Sequence, residues 1–134
     1  MFEFTTQIRV RYADTDQMGY VYYGNYARYF EIGRVEALRS LGISYKTLEE
    51  NGIMMPVLEN YSKYIKPAFY DNMLSLKVMV KEIPGTRIRF EVEITNEEGI
   101  LIHIGYTVLV FVSIETKKVV SFPAYIKKAI ENFF

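Results

Sequence analysis

The chain has 134 residues, 50% of them hydrophobic and 24% charged, which suits one globular domain spanning 1–134 with a real core. Sixteen basic residues balance sixteen acidic ones, so nothing draws the whole molecule toward nucleic acid or an anionic membrane, and an anionic ligand must be held by a local patch. Cysteine is absent, which excludes disulfides, thiolate metal sites and a cysteine nucleophile, and His103 is the only histidine.

At the start, MFEFTTQIRV has no basic segment followed by an apolar run, and no stretch approaches the roughly 18 apolar residues of a membrane span. A cytoplasmic protein is expected. Phe4, Thr6, Ile8, Val10 and Tyr12 alternate with Thr5, Gln7, Arg9 and Arg11, a period of two that predicts a half-buried strand ending near Tyr12. Asp14 and Asp16 follow, with Gly19 allowing a tight turn. Tyr26, Tyr29, Phe30, Gly33, Ala37, Leu38 and Leu41 then recur at the spacing of one helical face. Gly42 suits the left-handed position after the last turn, and Ile43 is placed to cover that cap. Gly24 and Asn25 suit the helix entrance. The first N–H groups there lack intrahelical partners and carry the positive end of the dipole, so they can receive an anion or a developing oxyanion. Two readings of the aspartates stand side by side: turn-capping carboxylates that accept backbone N–H bonds, or a carboxylate facing an oxyanion site.

Ser44 caps a short helix through Glu50, and Asn51-Gly52 ends it. Ile53 to Lys66 reads as a strand bounded by Pro67, with Pro56 pointing to an edge or bulge and mixed alternation suggesting cover on both faces. After the turn PAFYDN, Leu74, Leu76, Val78 and Val80 alternate with polar or mixed positions. Beyond Pro84-Gly85, Ile88, Phe90, Val92 and Ile94 do the same, giving an antiparallel hairpin with one wet face. Ile100 to Ile114 is apolar on both faces, its even positions most consistently, and belongs in a central position or at a subunit contact. His103 within it reads as a packed or locally hydrogen-bonded strand residue. After the charged turn at Glu115 to Lys118, Val119 to Phe122 can extend the sheet. Ile126, Ala129, Ile130 and Phe133 form a short terminal helical stripe.

The run D-T-D-Q-M-G-Y-V-Y-Y-G-N-Y, followed by the aromatic-rich helix start R-Y-F-E, resembles the opening motif of the 4-hydroxybenzoyl-CoA thioesterase-like acyl-CoA thioesterases. The resemblance implies an α+β hotdog fold, an antiparallel sheet of about five or six strands wrapped around one long helix, with protomers pairing sheet edge to sheet edge. It implies that Asp16, the second aspartate of the D-x-D, is catalytic, and that the backbone N–H of Tyr23 polarises the thioester carbonyl. Many bacterial members of that family carry a histidine at the position of Tyr23, whereas the aryl-CoA branch carries a tyrosine. The implied reaction is hydrolysis of an acyl- or aroyl-CoA thioester to free acid and CoA, with no cofactor and no metal.

Six of the twelve tyrosines, at positions 12, 20, 22, 23, 26 and 29, fall around this motif, where aromatic rings can line an acyl slot or simply pack. Arg87, Arg89, Lys63, Lys66 and the Lys117-Lys118 turn are candidates for the CoA phosphates, none preferred over the others. A homodimer or homotetramer is expected, because the Ile100 to Ile114 strand and the tyrosine-rich helix carry more apolar surface than a lone small domain covers. Two rivals remain: a thioesterase of the same fold acting on acyl carrier protein, and a catalytically silent acyl-CoA-binding protein. A nucleic-acid module is disfavoured by the neutral charge, and a dehydratase by the distance in sequence between His103 and the motif.

Overall fold

The computed structural model describes residues 1–134. Strand β1 (Phe2–Arg9) leads through a 3₁₀ turn at Tyr12–Asp14 to helix α1 (Asn25–Ser40) and the short helix α2 (Tyr45–Glu50). Strands β2 (Ile53–Met54), β3 (Val57–Tyr64), β4 (Met73–Val80), β5 (Arg87–Thr95), β6 (Leu101–Val110) and β7 (Val112–Ser113) follow, and α3 (Ala124–Ile130) closes the order. Five strands form one antiparallel sheet in the order β1-β4-β5-β6-β3, while β2 and β7 pair separately.

Helix α1 lies on one face of the large sheet and buries Tyr26, Tyr29, Phe30, Gly33, Ala37 and Leu38, the stripe its spacing predicts. It is shorter than the one long helix expected, at 16 residues. Gly33 sets its distance from the sheet: a Cβ there would lie 3.0 Å from Val78 Cγ2 and 3.4 Å from Leu76 Cδ2. The helix ends as anticipated. Gly42 takes φ +79°, its N–H donates to Arg39 O at 2.9 Å, and the Ile43 N–H reaches back to Leu38 O at 3.0 Å, the paired bonds of a Schellman cap. Ser44 caps α2 by accepting from the Thr47 N–H at 3.1 Å.

The β4–β5 hairpin is as read, with Leu74, Leu76, Val78, Val80, Ile88, Phe90, Val92 and Ile94 all buried. Three expectations are corrected. The strand expected over Ile53 to Lys66 is two strands broken at Met55-Pro56, with a register shift between Val57 and Glu59, because Pro56 has no N–H to donate. β3 is the sheet edge, as Pro56 indicates, but instead of being partly covered on both faces it is exposed at nearly every position.

β6 is interior, as expected, and turns its odd positions to the helix. Ile94, Val92, Phe90 and Ile88 pair with His103, Gly105, Thr107 and Leu109, and cross-strand partners share a face. The polar and small residues are therefore innermost. Gly105 is required there: a Cβ would collide with the Tyr61 carbonyl and the Phe30 ring. The third correction is at Val119 to Phe122, expected to extend the sheet: Val119 makes only an isolated bridge to Val112. Ile126 and Ile130 of α3 are buried in the main core, and no helix is long and apolar enough to cross a membrane.

Candidate active site

The two aspartates have different surroundings. Asp14 is 4% exposed and its carboxylate accepts from the Arg11 N–H at 3.0 Å, from the Tyr29 hydroxyl at 2.9 Å and from the Arg28 guanidinium. Its carbonyl oxygen takes the Tyr22 N–H and the Asn25 side-chain amide, each at 2.8 Å. Burial pushes the Asp14 carboxyl upward, but the Arg11 N–H, the Tyr29 hydroxyl and the Arg28 charge together hold it below the ordinary carboxylate value. Burial also raises Tyr29, helped by its bond to that carboxylate. With both carboxylate oxygens engaged, Asp14 ties the motif to α1.

Asp16 sits at the base of a tight loop. Its N–H donates to Tyr20 O at 2.9 Å, its carbonyl accepts from the Gly19 N–H at 3.0 Å, and Gly19 takes φ +84°, a conformation that needs no Cβ. One carboxylate oxygen accepts from the Met18 N–H at 2.9 Å; the other accepts nothing from the protein. The carboxylate therefore caps its own turn, as the simpler reading of the D-x-D has it, and still presents a free oxygen.

Asp16 lines a pocket of about 290 Å³ together with Met18, Tyr20, Val21, Tyr23, Tyr26, Tyr64, Ile65, Lys66 and Pro67. Tyr23, 64% exposed, lies one residue before Gly24, the N-cap of α1. Neighbouring N–H groups are used: Tyr22 donates to Asp14, and Asn25 to Tyr22 O at 2.9 Å. Those of Tyr23 and Gly24 donate to no protein acceptor. Asp16 and Tyr23, the two residues singled out from the sequence, thus line one cavity. Asn25, at the helix entrance, braces the Asp14 carbonyl through its side-chain amide.

Behind the pocket, Tyr26 stacks on His103, which is wholly buried. The imidazole Nε2 lies 3.0 Å from Ser62 Oγ, and burial pushes its pKa down to about 4. His103 is therefore neutral near pH 7 and packs locally, as expected. Burial likewise pushes Tyr26 up to about 12. Among the cations considered for CoA phosphates, only Lys66 reaches this pocket. Arg87 and Arg89 lie on the opposite face of the sheet, where Arg89 stands 3.7 Å over the Tyr106 ring. Tyr64 and Lys66 as pocket walls escaped the sequence reading, since only the pairing of β3 with β6, Tyr64 beside His103, carries that chain end to the motif.

A helix against a five-stranded antiparallel sheet, with an aspartate and free N–H groups at the helix entrance, defines a hotdog-fold protein of the thioesterase type. The chain belongs to the thioesterase-like superfamily, whose family model matches residues 10–130, and is in that sense a thioester hydrolase. It is 31% identical over 130 residues to the acyl-CoA thioesterase YbgC of Haemophilus influenzae, covering 96% of this chain and 95% of that protein. It is 34% identical over 93 residues to the YneP protein of Bacillus subtilis, covering 69% of this chain and 67% of that one. A DHNA-CoA thioesterase structure from Staphylococcus aureus superposes with a TM-score of 0.92 at 35% identity, over 99% of this chain and 91% of that chain.

Proposed function

We propose that this protein hydrolyses acyl-CoA thioesters, with Asp16 as the reacting carboxylate and the Tyr23 N–H as the oxyanion donor. The observation that supports this reading is the shared pocket: Asp16, with a carboxylate oxygen that has no protein partner, and Tyr23, with an N–H that has no protein acceptor, line the same largely apolar cavity.

In one course, Asp16 attacks the thioester carbonyl, the oxyanion rests on the helix-entrance N–H groups, and CoA leaves as a thiolate that takes a proton from water. Water then hydrolyses the acyl-aspartyl anhydride. In the other, Asp16 takes a proton from water as that water attacks, and passes it to the departing sulfur. A preorganised donor of the Tyr23 type contributes about 10²–10³ in rate.

The working unit is a homodimer or a homotetramer built from two dimers. In support, β3 leaves one edge of its ladder open and exposes Val57, Leu58, Tyr61 and Tyr64, the kind of edge that pairs with another chain.

The test is a panel of short, medium, long and aromatic acyl-CoA thioesters assayed without added metal or cofactor. Turnover on at least one of them is expected. Turnover confined to acyl carrier protein esters would move the assignment to that carrier, and binding without turnover on either would leave a silent acyl-CoA-binding protein.

A further inference from the structure

Asn25 is the first residue of α1, half-buried, at a place where an asparagine side chain ordinarily serves its own helix. Here it does not. Its Nδ2 amide donates to the Asp14 carbonyl at 2.8 Å, eleven residues back along the chain, and since a carbonyl only accepts, the acceptor fixes which end of the amide faces it. The same carbonyl takes the Tyr22 N–H at 2.8 Å, and the Asn25 N–H donates to Tyr22 O at 2.9 Å. The turn from Tyr22 to Asn25 is thereby closed at both ends on one oxygen, with the unpartnered N–H groups of Tyr23 and Gly24 between them.

Other restraints on this turn are few. The helix entrance carries no side-chain cap, because its N-cap is Gly24, and the Tyr26 N–H reaches Tyr23 O at a long 3.3 Å. The anchor itself is fixed: Asp14 is buried, and the Arg11 N–H, Arg28 and Tyr29 hold its carboxylate. Directly after Asp14, Thr15 bridges Val21 and the Asp16 N–H donates to Tyr20 O. One backbone carbonyl is thus the point from which the Asp16 loop and the Tyr23 turn both take their places.

We propose that Asn25 is a positioning residue: by holding the Tyr22 to Asn25 turn to the Asp14 carbonyl it fixes the direction of the Tyr23 N–H relative to the Asp16 carboxylate, a role that rests on Tyr23 being the oxyanion donor. A donor acts only where it meets the charge that develops in the transition state, and a misplacement of about 1 Å costs on the order of a hundredfold. Loss of the brace therefore lowers kcat and leaves substrate binding in place. A brace that served stability alone would show in unfolding and would not split kcat from KM.

The experiment compares the full chain with Asn25→Ala. The fold should survive, since alanine suits the first turn of a helix and the Asp14 carbonyl keeps the Tyr22 N–H. Kinetics are measured on the best acyl-CoA substrate, and ¹⁵N relaxation gives the order parameter of the Tyr23 amide. In the variant kcat should fall at least about tenfold with KM within about twofold of the wild type, and the Tyr23 order parameter should drop from a rigid value of about 0.85 toward about 0.6. An unchanged Tyr23 order parameter would overturn the proposal, and so would an unchanged kcat in a variant whose turn has loosened. A wild type that hydrolyses no thioester would overturn the proposed reaction instead, and the order parameter would still decide whether Asn25 holds the turn.

Discussion

The His103 imidazole lies flat on the Tyr26 ring, with centroids 3.9 Å apart and planes within 1° of parallel. This contact joins the innermost face of β6 to the first turn of α1 and forms the back wall of the Asp16 pocket. It also makes the fold sensitive to mild acid. An unfolded histidine titrates near 6.5, while burial pushes His103 down to about 4, so between those values the unfolded chain binds a proton that the folded chain refuses. Stability is full above about 6.5 and falls as pH is lowered toward 4, with a slope from this residue of up to about 1.4 kcal/mol per pH unit. His103→Phe keeps a ring against Tyr26 and removes the proton site. Urea unfolding at a series of pH values should show a shallower slope in the variant within that window; equal slopes would contradict the assignment.

Asp14 and Asp16 should separate by stability. Asp14→Asn weakens a carboxylate site that serves Arg11, Arg28 and Tyr29, and should cost about 2 kcal/mol or more. Since the folded carboxyl is held below its ordinary value, its contribution is present above about pH 4 and disappears as pH falls through the folded value. Asp16→Asn keeps an oxygen to accept the Met18 N–H and should cost less than about 1 kcal/mol, as surface changes usually do. Denaturant midpoints of the two variants near neutral pH give the comparison, and equal losses would contradict it.

Assembly should depend on β3. The wild type is expected to be at least a dimer at micromolar concentration, and Leu58→Lys combined with Tyr61→Lys should shift it toward monomer, because charges on a sheet edge oppose pairing. Both residues are exposed in the lone chain, so the fold should survive. Sedimentation measures the mass. A wild-type monomer that hydrolyses thioesters at full rate would overturn the assembly.

Much of the fold was legible in the sequence because single residues fixed single features. Gly42 with Ile43 marks the end of α1, Ser44 the start of α2, and strict alternation the β4–β5 hairpin. The central place of β6 was legible, but not its inner face, because its outward positions, Ile104, Tyr106, Val108 and Val110, look more like a core than His103, Gly105 and Thr107. The pairing with β5, and the Tyr26 and Phe30 rings packed over His103 and Gly105 from a helix far away in sequence, decide the inner face. The D-x-D was legible as a motif, but spacing could not tell a turn cap from a reactive carboxylate. Arg28 and Tyr29 on α1 engage Asp14 and not Asp16, which keeps one oxygen without a protein partner. The exposure of β3 could not be read at all, since mixed alternation suits a covered strand and a strand awaiting a partner equally well.

The central claim is that the Asp16 carboxylate does the chemistry, and kcat of Asp16→Asn on the best acyl-CoA substrate tests it most directly. The substitution keeps the size and the turn bond to Met18 but removes the charge and most of the nucleophilicity. With circular dichroism and assembly unchanged, kcat should fall at least about a hundredfold, the scale of a positioned acid-base or nucleophilic group. Near-normal kcat in a variant with intact structure would contradict the account and return Asp16 to the role of a turn cap.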